Sequence, residues 1–237
     1  MIYVTGDLHG NFTPLYQFAK EEGKKLTKND YVIVLGDFGL WHETLSKIEE
    51  LNQTLNYTLL FIEGNHEEFP LLESFPLEKK FGGFVHNIFG IYHLCRSEIF
   101  ALPNEGKEIK IAVCGGGDSK DRNRRKDGID WFAKESVTDA DVLKVFENAK
   151  RCCWKVDYFL SHVMSSSVKA EWNYENLGSL MYQEYFEEIT ISEFRIRDII
   201  GKIEAREYLN GHEHIDRVYE LKDKRYRSVY KKFYRLQ

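Results

Sequence analysis

Five short apolar runs in this chain each end against a glycine or serine that delivers an acidic or metal-binding side chain. The runs end as Gly6-Asp7-Leu8-His9-Gly10, Gly36-Asp37-Phe38-Gly39, Gly64-Asn65-His66-Glu67, Ser161-His162 and Gly211-His212-Glu213-His214. Taken singly, each piece is a turn or a lone histidine. Together they gather five of the chain's eight histidines. Asp7 and Asp37 would both sit at the ends of buried strands, where close carboxylates repel and burial raises the cost. Cations placed between them remove both penalties. Imidazole and carboxylate together suit Mn, Fe, Zn, Ni or Co rather than Ca or Mg.

Strands are expected where Val, Ile, Tyr and Phe cluster before turn residues: Ile2–Thr5, Tyr31–Leu35, Leu59–Glu63, Ile91–Leu94, Glu98–Ala101, Ile109–Cys114, Asp157–Ser161, Glu207–Asn210, Asp216–Leu221 and Tyr226–Tyr230. Helical spacing lies between several of them. Thr13 as N-cap with Pro14 behind it starts one helix, whose face is Leu15, Phe18 and Ala19. Leu45, Ile48, Leu51 and Leu55 mark another within Trp41–Leu55. Thr138 with Asp141 forms a capping box, and Ser192 caps a helix running to about Ile203. Strand and helix alternate in the first half, which argues for parallel pairing; the later, closely spaced strands suit antiparallel pairing. An α/β system of mixed sheets with helices outside follows, and the motifs fall at the strand ends where open α/β sheets bind ligands.

The 237 residues contain no repeat, low-complexity tract or linker, so one domain spanning 1–237 is expected. A net charge of -5 excludes bulk attraction for polyanions. No apolar run reaches membrane length. The first motif follows Met1-Ile2-Tyr3-Val4 at once, leaving no room for a signal peptide. Cys95, Cys114, Cys152 and Cys153 lack C-x-x-C spacing and read as free thiols in a reducing cytoplasm.

The order D-x-H, G-D, G-N-H-E, H, G-H-x-H, from Gly6 to His214, resembles the calcineurin-like metallophosphoesterase superfamily. The resemblance implies a four-layer αββα sandwich, two mixed sheets flanked by helices, with two divalent metal ions at one sheet edge. It implies that Asp7, His9 and His214 hold one ion, that Asn65, His162 and His212 hold the other, and that Asp37 bridges them. Manganese is the first expectation, with Fe, Zn, Ni or Co as alternatives. Two divalent cations less two carboxylates leave a site of about +2, which attracts a phosphate ester. With ions roughly 3.5–4 Å apart, a bridging hydroxide attacks phosphorus in line and no phosphoenzyme forms. His66, beside Asn65, is assigned as general acid or as a cation at the leaving oxygen.

The chain also departs from a relative pattern. Phosphoprotein phosphatases and dinucleoside tetraphosphatases continue the second motif as G-D-x-x-D-R-G; here Leu40 and Trp41 stand at the Asp and Arg positions, so those substrate classes are not carried over. Glu43 or Glu67 is left to orient His66. The His162 motif lacks the prolines that often follow it. Gly115-Gly116-Gly117, followed by Arg122, Arg125 and Trp131, resembles the glycine-rich segment of a bacterial and phage subgroup that also carries Gly-Asp-Phe-Gly-Leu-Trp. Three glycines let backbone approach a ligand, and Arg122 and Arg125 are expected to hold phosphate oxygens, against the alternative of a solvated basic loop. The basic-aromatic C-terminus, Lys222 to Arg235, reads as an edge hairpin guarded by lysines rather than a nucleic-acid surface. The leading expectation is a phosphomonoesterase; the alternatives are a phosphodiesterase or nuclease with the same site, and a non-catalytic metal-binding module.

Overall fold

The computed structural model describes residues 1–176 and 188–237. Its first sheet is centred on β1 (Ile2–Thr5), β2 (Tyr31–Leu35) and β3 (Thr58–Ile62), side by side and parallel. β6 (Ile91–Leu94) pairs parallel to β3, and then β5 (Gly83–Ile88) and β4 (Leu77–Lys80) follow antiparallel. At the other edge β13 (Tyr234–Leu236) runs antiparallel to β1. The second sheet has the order β11 (Arg217–Leu221), β12 (Lys224–Ser228), β10 (Glu207–Asn210), β9 (Tyr158–Ser161), β8 (Lys107–Cys114), β7 (Ile99–Asn104). Its centre, β8-β9-β10-β12, is parallel, and both edges are antiparallel hairpins.

Strand alternation builds the layers. Ile2, Val4, Ile33, Leu35, Leu60 and Ile62 point to the second sheet, where Ile111, Val113, Tyr158, Leu160 and Leu209 meet them. Their neighbours Tyr3, Val32, Val34, Leu59 and Phe61 face outward. Both faces are apolar, as expected of strands covered on two sides. α1 (Thr13–Glu21), α2 (Leu45–Thr54) and α3 (Phe69–Ser74) cover the outer face of the first sheet through Leu15, Phe18, Ile48, Leu51, Leu71 and Leu72. α4 (Asp139–Arg151), α5 (Ser166–Asn176) and α6 (Ile191–Ile200) cover the second through Val145, Ala149, Val168, Ile196 and Ile199. The expected four-layer αββα sandwich is the observed one. Among the described residues no helix is long and apolar enough to cross a membrane.

Several local expectations are corrected. Phe12, not Thr13, occupies the N-cap of α1; Phe12 is buried in the core, and Asn11 Oδ1 accepts the Thr13 N–H at 3.2 Å instead. Thr190 caps α6 with Glu193 in a capping box. Ser192 lies inside that helix, accepting the Val137 N–H at 3.0 Å and donating its own N–H to Asp118. The Thr138–Asp141 capping box forms as expected. The β4–β5 hairpin and β13 have no counterpart among the expected strands. Only the first half of the basic C-terminus is the edge hairpin, β11–β12; the rest crosses to the other sheet as β13.

Phe100 fills the space between the sheets, fully buried and close to Gly83. Phe100→Ala is expected to cost about 3–5 kcal/mol, read as a lower urea midpoint with an unchanged slope. A loss under about 1 kcal/mol would show that the intersheet layer is not close-packed there.

Candidate metal centre

β1, β2 and β3 end side by side at one edge of the first sheet, and β9 and β10 end at the facing edge of the second. Each motif is the turn that follows one of these strands. The turns are sharp: His9, Asp37, His212 and His214 have φ of 48°, 46°, 63° and 50°. Left-handed backbone at four non-glycine residues is uncommon, and such strain clusters at functional sites. Gly64 is required beside them, since a Cβ there would stand 2.0 Å from Asp37 Oδ1 and 2.3 Å from the Asp37 nitrogen.

Two donor groups result. Asp7, His9 and His214 converge in one, and Asp37, His162 and His212 in the other, with the ligand atoms of each group within 4.8 Å of one another. Asn65 Oδ1 joins the second group, 3.0 Å from His162 Nε2. Imidazole nitrogens approach each other closely, His9 Nε2 to His214 Nε2 and His212 Nδ1 to His162 Nε2, each at 3.2 Å. Asp37 stands between the groups: Oδ1 lies 3.5 Å from His162 Nε2, and Oδ2 lies 3.7 Å from His9 Nε2. Asp7 Oδ2 is buried with no hydrogen-bond donor in good geometry, while His214 Nε2 lies 3.2 Å away. Converging nitrogen and carboxylate donors and an orphaned buried oxygen fit a divalent cation in each group.

The charges of this set depend on one another. Burial works to raise the Asp37 carboxyl, but His162, then His66 and His9, override it and hold it far below the usual carboxylate range. Burial would lower His162, yet Asp37 and Asp7 drive the ring upward, so it carries a proton at neutral pH. Burial and that neighbouring charge push His212 well down.

Residues outside the ligand set hold the turns. The Glu67 carboxylate is engaged by backbone rather than by the His66 ring. It accepts N–H groups from Phe38 (2.7 Å), Gly39 (3.2 Å) and Leu40 (2.8 Å), strapping the turn that carries Asp37. Burial and the Asp37 charge push Glu67 up to about 8, against those donors. Asn65 Nδ2 donates to Ser119 Oγ at 3.0 Å, and Ser119 is itself fixed on Glu135, which turns the Asn65 carbonyl toward His162. Glu213 faces away from the centre and pairs with the buried Lys169 at 2.6 Å. His214 stacks on Tyr230, with centroids 4.6 Å apart. Of these, Glu67 and Glu213 sit inside the motifs; Ser119, Glu135, Lys169 and Tyr230 carry no sequence signal, because their partners are 16 to 54 residues away.

The glycine run packs closely against the chain itself, and Gly117 lies against His162 and Asn65. A Cβ on Gly115 would meet the Glu63 carbonyl oxygen at 2.5 Å, and the Gly116 N–H donates to that oxygen at 2.7 Å. The close approach of Gly115 and Gly116 is thus to β3's exit. Downstream, Arg125 reaches the centre: its Nη2 lies 2.7 Å from His66 Nδ1 and 3.0 Å from Nε2, and its Nε pairs with Asp121. Arg122 is exposed and lays its guanidinium 3.6 Å over the Trp131 ring. Leu40, at the aspartate position of the relative pattern, is wholly buried. Arg125 is the residue found beside His66.

The family model for calcineurin-like phosphoesterases matches residues 1–216, and the chain belongs to that family. It is a metal-dependent phosphoester hydrolase. No curated protein sequence matches the chain. Two of the solved structures that resemble it do so at low identity. One is the phosphopantetheinyl hydrolase of Mycobacterium tuberculosis, 15% identical, TM-score 0.47, covering 97% of this chain and 89% of its own. The other is GAP50, the anchor in the inner membrane complex of Plasmodium, 10% identical, TM-score 0.41, covering 97% and 70%.

Because His162 is protonated in the metal-free protein, a cation must displace that proton to use the ring. Calorimetric titration of chelator-stripped protein with Mn²⁺, in two buffers of different ionisation enthalpy, should show at least one proton released per protein at pH 7. Affinity should fall as pH is lowered. Binding with no proton release would contradict the charge arrangement.

Proposed function

We propose that this calcineurin-like phosphoesterase is a phosphomonoesterase. In this reading Asp7, His9 and His214 hold one divalent cation, Asn65, His162 and His212 hold the other, and Asp37 is shared. Manganese is the first choice, with iron, zinc, nickel or cobalt as alternatives. Bound there, the ions would supply an activated water and polarise the phosphoryl oxygens. The observation that carries the proposal is Asp37 with one oxygen toward each donor group.

The monoester preference follows from charge. Two divalent cations less Asp7 and Asp37 leave about two positive charges at the mouth, the Arg125 charge being balanced by Asp121. A monoester dianion offsets more of this than a diester anion does. Arg125, on the His66 side, donates to a non-bridging phosphate oxygen and keeps the group oriented. The exposed Arg122 is assigned to more distant parts of a substrate.

Burial holds His66 below its ordinary value; Asp37 opposes this and Arg125 adds to it. A bound phosphate dianion brings negative charge against both His66 and Arg125, which favours the protonated ring. His66 then gives its proton to the leaving oxygen.

With Mn²⁺ added, kcat/KM for p-nitrophenyl phosphate should exceed that for bis(p-nitrophenyl) phosphate. The reverse order establishes the diesterase alternative instead. His66→Asn should retain both metals and slow turnover by about 10²–10⁴ for poor leaving groups, and less for good ones. Equal slowing across the series removes the acid role. Arg125→Ala should raise KM for monoesters.

A further inference from the structure

Of the three histidines outside the motifs, two meet a cysteine on the outer face of the first sheet. His86 in β5 and His93 in β6 are cross-strand partners, and their rings stack with centroids 5.7 Å apart. Cys95 follows His93 by two residues, which puts it on the same face of the strand line. One ligand atom from each lies within 4.8 Å of the others. The cluster opens into a cleft of about 330 Å³ beside Phe69 and Leu72 of α3.

Hydrogen bonds fix both rings with a lone pair free. His93 Nε2 lies 2.7 Å from Glu63 Oε2. The other oxygen, Oε1, is paired with the Arg96 guanidinium at 2.5 Å, so Glu63 stands as a carboxylate, which only accepts, and His93 Nε2 donates. In the neutral ring the lone pair of His93 is then on Nδ1. It is buried, the residue being 4% exposed, and has no hydrogen-bond partner. His86 Nδ1 lies 2.9 Å from the Phe75 carbonyl oxygen, which also only accepts, leaving Nε2 with its lone pair. A carboxylate on the far nitrogen of a histidine is how metal-binding imidazoles are oriented. The titratable wall of the cleft is negative by one charge: Glu63, Glu73 and Asp141 against Arg96 and Lys134. A divalent cation that converts the Cys95 thiol to thiolate brings this wall to neutrality.

We propose that His93 Nδ1, His86 Nε2 and Cys95 Sγ form a second, separate site for a thiophilic divalent cation, with Zn²⁺ as the fitting ion. Zinc binds two imidazoles and a thiolate tetrahedrally, with bonds of about 2.0–2.3 Å. Three protein donors leave the fourth position open to the cleft. Binding transfers the thiol proton to solvent and forms the Zn–S bond, with no change of oxidation state. The Glu63 that orients His93 stands two residues before Asn65, so the site abuts the strand exit that serves the catalytic turn.

Cobalt separates this site from the catalytic centre, which offers only nitrogen and oxygen donors. Full-length, chelator-stripped protein titrated with Co²⁺ should develop a near-ultraviolet thiolate-to-cobalt charge-transfer band whose final amplitude corresponds to one cobalt–thiolate bond per protein. Zn²⁺ should bleach it. Cys95→Ser should abolish the band. His86→Ala, a change at a half-exposed position, should weaken Co²⁺ binding at this band by at least about tenfold, with circular dichroism confirming the fold. Absence of the band at saturating Co²⁺, or its survival unchanged in either variant, would overturn the proposal.

Discussion

The Asp37 carboxylate is 1% exposed, packed among three imidazoles and near a second buried carboxylate, Asp7. Such a group persists in the interior only with fixed countercharge. In the metal-free protein the His162 proton supplies part of it, and the His66 backbone N–H donates to Oδ1 at 2.8 Å. Much of the surrounding architecture keeps that carboxylate in place. Three parallel strands end together, a glycine at 64 clears room for it, and left-handed turns aim the histidines inward.

Three of the motif segments are held by buried polar side chains from another part of the chain: Glu67 on the Asp37 turn, the Ser119–Glu135 pair on Asn65, Lys169 on Glu213. These contacts cross both sheets and the outer helices, so the centre is coupled to packing well away from it. Left unpaired, a buried carboxylate or ammonium costs several kcal/mol, which gives the supports a stability role as well as a positioning one. Arg125 differs from them, because it meets the ring of His66 itself, with Asp121 and the Asp130 carbonyl holding its guanidinium in place.

The centre was legible in the sequence because its residues lie on five short motifs, each at a strand end. The layers were legible too: strands such as Leu59–Ile62 carry apolar residues on both faces, which demands cover on both sides. The missed elements have physical reasons. Leu77–Lys80 is mostly charged and half-exposed, and its partner begins at Gly83, so the hairpin lacks apolar alternation. β13 is three residues long and exists by pairing with β1. Thr13 and Ser192 have good capping chemistry, but burial of Phe12 and the Thr190–Glu193 box shifted the helix starts. The glycine run was seen, yet only tertiary structure shows that Glu63 is what it approaches. The His86–His93–Cys95 cluster was illegible because the hairpin that unites it was.

The most direct measurement is an anomalous difference map from a crystal soaked in Mn²⁺. Two peaks are expected, one among Asp7, His9 and His214 and one among Asn65, His162 and His212, each within bonding distance of Asp37. A single peak, no peak, or an Asp37 that reaches only one ion would contradict the shared-carboxylate centre.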